Sequence, residues 1–171
     1  MSPLDDNAAF FIEAVDPGAV GARIVPFEPW HMGRLEGREY EAQSFAAVGG
    51  LERTATLCDQ SEYAYTVIGG GRPVACIGCA ELWRGVGAAW AFLDRQAPRY
   101  WKTVHAGVMT FLRAAQCDGE FHRIQTSVRL DHPAGHRWAL RLGFAPEGIQ
   151  RSYGPDGSDW VAYARYSHDR R

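Results

Sequence analysis

The chain predicts an α/β (α+β) domain built on a single mixed, mostly antiparallel central sheet of about six to seven strands flanked by helices. Three observations predict it. Apolar runs at 63–68, 73–83 and 86–94 are separated by Gly69-Gly70-Gly71-Arg72 and by Arg84-Gly85, two tight-turn signals, so they form an antiparallel meander. A long amphipathic segment, 101–117, then separates the third run from a strand that starts at Ile124, which is the pattern of a parallel helical crossover. From 123 to 166 the order is strand, helix, strand, turn, strand.

Residues 1–20 read as an N-terminal extension and 21–171 as the domain. In the extension, Phe10, Phe11, Ile12 and Val15 are apolar enough to dock, and Asp16-Pro17-Gly18 marks a turn. Ile24 and Val25 make a short first strand, stopped by Pro26. A helix starts in 28–35, with Pro29 in its first turn. Residues 36–62 carry the least signal. Gly49 and Gly50 break them, and 51–58 reads as a second short helix.

The run 86–94 is apolar at nearly every position, as expected of a central strand covered on both faces. Within 101–117, Val104, Val108, Phe111, Leu112 and Ala115 form one stripe. Asp118-Gly119 closes that helix. Ile124, Thr126 and Val128 alternate as in a strand. Asp131-His132-Pro133 is a helix start, because proline suits the first helical position. Ala134, Trp138 and Leu142 then recur at helical spacing, and Gly143 falls where a helix ends in a left-handed residue. A turn at Gly154-Pro155-Asp156-Gly157 precedes the last strand, 160–166.

The chain has 171 residues, 46% hydrophobic and 22% charged, which suits one soluble globular domain with a sizeable core. Net charge is −2, so no global field favours nucleic acid; Arg137, Arg141, Arg170 and Arg171 are scattered on a solvated face. No apolar run approaches membrane-spanning length. The acidic start MSPLDDNAAFF argues against a secretory signal, which makes the cytoplasm the expected location. Cys76 and Cys79 form a C-x-x-C, but no second pair stands at ligand spacing. Residues three apart in a strand face opposite sides, so they read as small core residues, and no metal is expected. Cys58 sits on a helix and Cys117 ends one.

The stretch 123–166 resembles the C-terminal half of the GNAT superfamily of N-acetyltransferases. The matching residues are Asp131 for the family asparagine, Leu142-Gly143-Phe144, Glu147-Gly148, and Asp156-Gly157 before the last strand. The resemblance covers about 22–166 and is strongest from 123 onward. Within the superfamily the chain looks most like acetyltransferase-like proteins of bacteriophage genomes. The resemblance implies transfer of an acetyl group from acetyl-CoA to an amine on a small molecule or protein, by direct attack. It implies that the first helices wall the acceptor side, with Trp30, His31, Glu39, Tyr40 and Glu41 as candidates.

By the same resemblance, the pyrophosphate of acetyl-CoA sits at the loop and helix start 95–102, with Arg95, Arg99, Tyr100, Trp101 and Lys102 around it. A helix N-terminus with free N–H groups suits phosphate, and the three cations add to it. The loop departs from the family in having no glycine and in placing Pro98, which has no N–H. Asp131 takes the place of the asparagine that faces the pantetheine; an ionised aspartate accepts but cannot donate, and it also suits a helix N-cap.

The family's tyrosine, which protonates the leaving thiolate, is Ala139 here. Tyr163 in the last strand, or Tyr153 at the hairpin, takes its place if the fold turns it inward; otherwise the thiolate leaves with solvent help. For the base, Glu81 among apolar residues is the first candidate, with a raised pKa expected; a water relay is the alternative. His105 reads as half-exposed and structural, and His132 and His136 flank the last helix start. The resemblance also implies that the sheet splays after the strand 86–94, so that backbone near Phe92 and Leu93 faces the cofactor and meets the oxyanion. Trp83, Tyr100 and Trp101 mark either a homodimer interface or a cofactor wall. A different class of function keeps the fold as a catalytically inactive binding or structural module; the glycine-free loop and Ala139 favour it.

Overall fold

The computed structural model describes residues 21–37, 49–117 and 120–167. The expectations placed on 1–20, on Glu39, Tyr40 and Glu41, on Asp118-Gly119 and on the terminal arginines lie outside these residues. The described chain forms seven strands: β1 (Ala22–Pro26), β2 (Tyr63–Gly69), β3 (Arg72–Trp83), β4 (Val86–Leu93), β5 (Arg123–Arg129), β6 (Ala145–Gln150) and β7 (Trp160–Tyr166). Its helices are α1 (Pro29–Met32), α2 (Leu51–Asp59), α3 (Trp101–Cys117) and α4 (Pro133–Arg141), with a 3-10 turn at Ala97–Tyr100 leading into α3. The sheet order is β1-β2-β3-β4-β5-β7-β6, and only the β4–β5 pair is parallel.

Alternation along the strands divides the core. Tyr63, Tyr65 and Val67 on β2, Ile77 and Cys79 on β3, Ile124 on β5 and Tyr163 on β7 face α3 and α4. Cys76, Trp90 and Phe92 face the other way, toward α1 and α2. Cys76 and Cys79 therefore belong to separate cores, and burial pushes each thiol up to about 12, far from the thiolate that redox or metal chemistry needs. Pro26 stops β1 as expected, as its last residue rather than the first beyond it. It pairs with Tyr65 at the sheet edge, where a missing N–H costs nothing.

The Leu142-Gly143-Phe144 motif closes α4. Gly143 has φ 84°, its N–H donates to Leu140 O at 3.0 Å, and the Phe144 N–H donates to Ala139 O at 3.0 Å. These are the two bonds of a Schellman cap. Ala139, Leu142 and Phe144 are all buried beneath it.

The sheet is forked. β5 follows β7 along its whole length, from Arg123 to Arg129. β4 stays with β3 to Leu93 but pairs with β5 only at Val86, Gly87 and Ala88. Beyond Ala88 the two central strands separate. This corrects the expectation of a fully covered central strand: Ala91 is exposed, and Trp90, Phe92 and Leu93 are half-buried.

Candidate functional site

The fork presents backbone, and its orientation follows from the ladder. The Asp94 N–H donates to Val74 O at 2.9 Å, so this residue points its polar groups at β3. Antiparallel pairs alternate. Phe92, Trp90 and Ala88 therefore also bond back to β3. The Ala88–Gln125 pair is made through the flanking Gly87 C=O and Ala89 N–H, so the Ala89 C=O and the N–H and C=O of Ala91 and Leu93 point to the side that β5 has left. Of the two expected backbone contacts, Leu93 opens into the fork and Phe92 does not. Ala89 and Ala91 were missed, because small apolar side chains say nothing about where their backbone points.

The two lips of the fork are braced by arginines. At the end of β4, Asp94 is buried. Its carboxylate accepts the Arg72 guanidinium at 2.9 Å, the Glu36 N–H at 2.7 Å and the Gln96 N–H at 2.8 Å. Arg72 also donates to Arg34 O at 3.0 Å and approaches Glu36 Oε1 at 3.5 Å. At the end of β5, Arg129 holds Asp131 through Nε and Asp156 through Nη1, each at 2.7 Å. The Arg129 side chain holds the Asp131 carboxyl below its usual range, and hydrogen bonds from Ser158, with Arg129, hold Asp156 at about 2. An open cavity of about 420 Å³ lies beside this lip, lined by Leu130, Asp131, Gly157, Ser158 and Asp159.

Asp131 is thus an exposed ion-pair partner of Arg129. The α4 N-cap is His132, which makes no side-chain cap bond, so the expected Asp131 cap is not formed.

The β4–α3 loop does not offer free amides. The Arg95 N–H donates to Glu36 O, Gln96 to the Asp94 carboxylate, Ala97 to Asp94 O and Arg99 to Gln96 O, and Pro98 has none. An anion here meets side chains instead. Arg95, Arg99 and Lys102 are exposed, and none forms an ion pair among the described residues. Tyr100 turns away from them: its ring lies against Gly69 and Gly70, where an added Cβ would stand 2.7–2.8 Å from it. Trp101 packs on Trp138 of α4 with ring centroids 4.9 Å apart, and the Trp138 Nε1–H donates to His105 Nδ1 at 3.2 Å. These side chains bridge α3 and α4. Trp83, at the β3–β4 turn, is 62% exposed and stands apart from them.

Glu81 does not meet its expectation. It is exposed at the far end of β3, paired with Gly87 where β4 and β5 are still joined, and it binds through its N–H to Glu62 Oε2 at 2.7 Å. The apolar surroundings expected around it are absent, because β3 outruns its helix cover there.

Tyr163 is turned inward. It is 5% exposed, and its hydroxyl lies 2.9 Å from His136 Nδ1 on α4. Burial raises its pKa above the usual 10. It pairs with Thr126, the first residue of β5 beyond the join with β4. Tyr153 is exposed beside Trp160. On the other face, Trp30 is exposed and donates to Glu28 at 2.6 Å. His31 is buried, with Nδ1 accepting the Glu28 N–H and lying 3.0 Å from Thr66 Oγ1.

The forked mixed sheet, with a helical crossover at the fork, has close counterparts among solved structures. An Ard1 from Thermoplasma volcanium superposes with a TM-score of 0.70 at 18% identity, over 88% of this chain and 100% of that one. This is the GNAT acetyltransferase fold. A GNAT-family acetyltransferase from Bacillus anthracis gives a TM-score of 0.65 at 13% identity, over 86% and 96% of the two chains. The ribosomal-protein-S18-alanine N-acetyltransferase from Escherichia coli gives 0.62 at 16%, over 88% and 96%. No family model matches the chain, and no curated protein matches it in sequence. These GNAT likenesses lie in backbone geometry, and what the fork binds is a question for its own residues.

Proposed function

We propose that the protein is an N-acyltransferase that moves an acetyl group from acetyl-CoA to an amine. The single observation that carries this reading is the fork. The Ala89 C=O and the N–H and C=O of Ala91 and Leu93 form a strand edge inside the sheet that no described strand pairs, and the amides of a pantetheine arm can pair with such an edge as another strand does. One of these N–H groups then stands ready for the carbonyl oxygen as it gains charge under amine attack. Arg95, Arg99 and Lys102 supply the cations for the diphosphate, in place of the loop amides that the chain uses itself. No covalent enzyme intermediate is required. The acceptor approaches from the α1 side, past Trp30, and the expected setting is the cytoplasm.

The test is thermal unfolding with acetyl-CoA, with CoA beside it. A ligand at a hundred times its Kd stabilises the fold by about 2.7 kcal/mol, which shifts the midpoint visibly. No shift at millimolar ligand overturns the reading.

A second reading, a non-catalytic binding module, is favoured by one observation: every amide from Arg95 to Arg99 is already bonded within the chain or absent at Pro98. Absence of the midpoint shift selects it.

A further inference from the structure

We propose that His136 and Tyr163 form a proton relay, in which the phenol from β7 replaces the helix-borne tyrosine lost at Ala139 and His136 positions and discharges it. This rests on the acyl-transfer reading above.

The hydrogen positions follow from the partners. His136 Nε2 lies 3.1 Å from Leu130 O, and a carbonyl can only accept. Nε2 therefore carries the hydrogen, and in the neutral ring Nδ1 is the acceptor. Tyr163 then donates its O–H to Nδ1, at 2.9 Å. Among the described residues His136 forms no ion pair. The pair is a phenol donating to an imidazole whose other nitrogen is anchored.

Its location fits the fork. Ala139 lies one turn beyond His136 on the same face of α4 and is buried. Its small side chain belongs to the same core as Tyr163. Gly135, next to His136, brings α4 down onto the opened half of β5: an added Cβ would stand 2.8 Å from Val128 Cγ1 and 2.6 Å from His132 Cδ2. The relay therefore lies along β5 just past the point where β4 departs.

The protons balance. As the amine attacks the thioester carbonyl, its N–H proton passes to Tyr163 Oη while the phenol's own proton passes to His136 Nδ1. His136 becomes imidazolium, with its Nε2–H still on Leu130 O. When the C–S bond breaks, the sulfur takes the proton from Tyr163 Oη, and Nδ1 returns its proton to that oxygen. The amine's proton ends on the CoA thiol, and both residues are restored.

The full chain, isotopically labelled at histidine, gives the test by NMR. His136 should show a protonated Nε2 and an unprotonated Nδ1, and free CoA should shift the Nδ1 signal. Tyr163→Phe should remove that response while leaving the midpoint shift with acetyl-CoA. His136→Gln still offers an acceptor to the phenol but cannot take its proton. It should release CoA thiol from acetyl-CoA at least tenfold more slowly, with an unchanged KM. A His136 signal unmoved by bound CoA, or wild-type thiol release in His136→Gln, would mean that the pair is only a core hydrogen bond. Absence of any midpoint shift with acetyl-CoA removes the acyl-transfer reading and the relay together, and so tells the two failures apart.

Discussion

The Asp94 carboxylate accepts the Gln96 N–H at 2.8 Å, and so holds the β4–α3 loop from within the chain. The same carboxylate takes the Glu36 N–H and the Arg72 guanidinium. Loop, strand end and the segment after α1 therefore share one buried charge.

Arg72→Ala should destabilise the fold by about 2 kcal/mol, because it leaves a buried carboxylate with only amide partners. Urea unfolding measures this, and amide exchange at Gln96 and Glu36 should quicken in parallel. Equal midpoints for variant and wild type would remove the clamp from the account.

Replacing Arg95, Arg99 and Lys102 together with alanine should weaken acetyl-CoA at least tenfold, about 1.4 kcal/mol, without lowering the unfolding midpoint. Affinity should also fall with added salt, since exposed cations are screened. Unchanged binding in the triple variant would place the diphosphate elsewhere.

Arg123 and Tyr166 hold Glu147 at about 2, against an ordinary value of 4.5. A carboxyl depressed in the folded state contributes stability that is full above 4.5 and is lost as pH falls through about 2. Midpoints measured between pH 5 and pH 2 should fall less steeply in Glu147→Gln than in wild type. Parallel curves would show that the Arg123 pair adds nothing to the β5–β7–β6 half.

Burial lowers the pKa of His31 from 6.5, against the opposing pull of Glu28. The unfolded chain therefore takes up this proton at a higher pH than the folded one. Stability should be full above 6.5 and should fall as pH drops below it, down to the folded-state pKa. His31→Gln should flatten that part of the curve. A wild-type midpoint indifferent to pH between 7 and 5.5 would mean that the ring is protonated in place.

Much of the fold was legible in the sequence because its signals are local. The glycine turns set the meander, the stripe from Val104 to Ala115 set α3, and Leu142-Gly143-Phe144 set the α4 cap. The site was less legible, because its decisive bonds are not local. Asp94 meets Glu36 across 58 positions and Arg72 across 22, and His136 meets Tyr163 across 27. No short pattern marks such partners. Glu81 misled for a related reason: an acid on an apolar strand reads as buried, but β3 carries it past its cover. Asp131 stood where a cap belongs and was drawn off by Arg129, two residues back. The fork is a matter of backbone pairing, and the side chains of β4 carry no local mark of where that pairing stops.

The most direct test of the central claim is amide chemical-shift mapping of the labelled chain on addition of acetyl-CoA. The largest amide changes are expected at Ala91 and Leu93, with much smaller ones at Phe92 and Trp90, whose backbones bond to β3. Changes confined to other parts of the molecule, or none at saturating ligand, would contradict it.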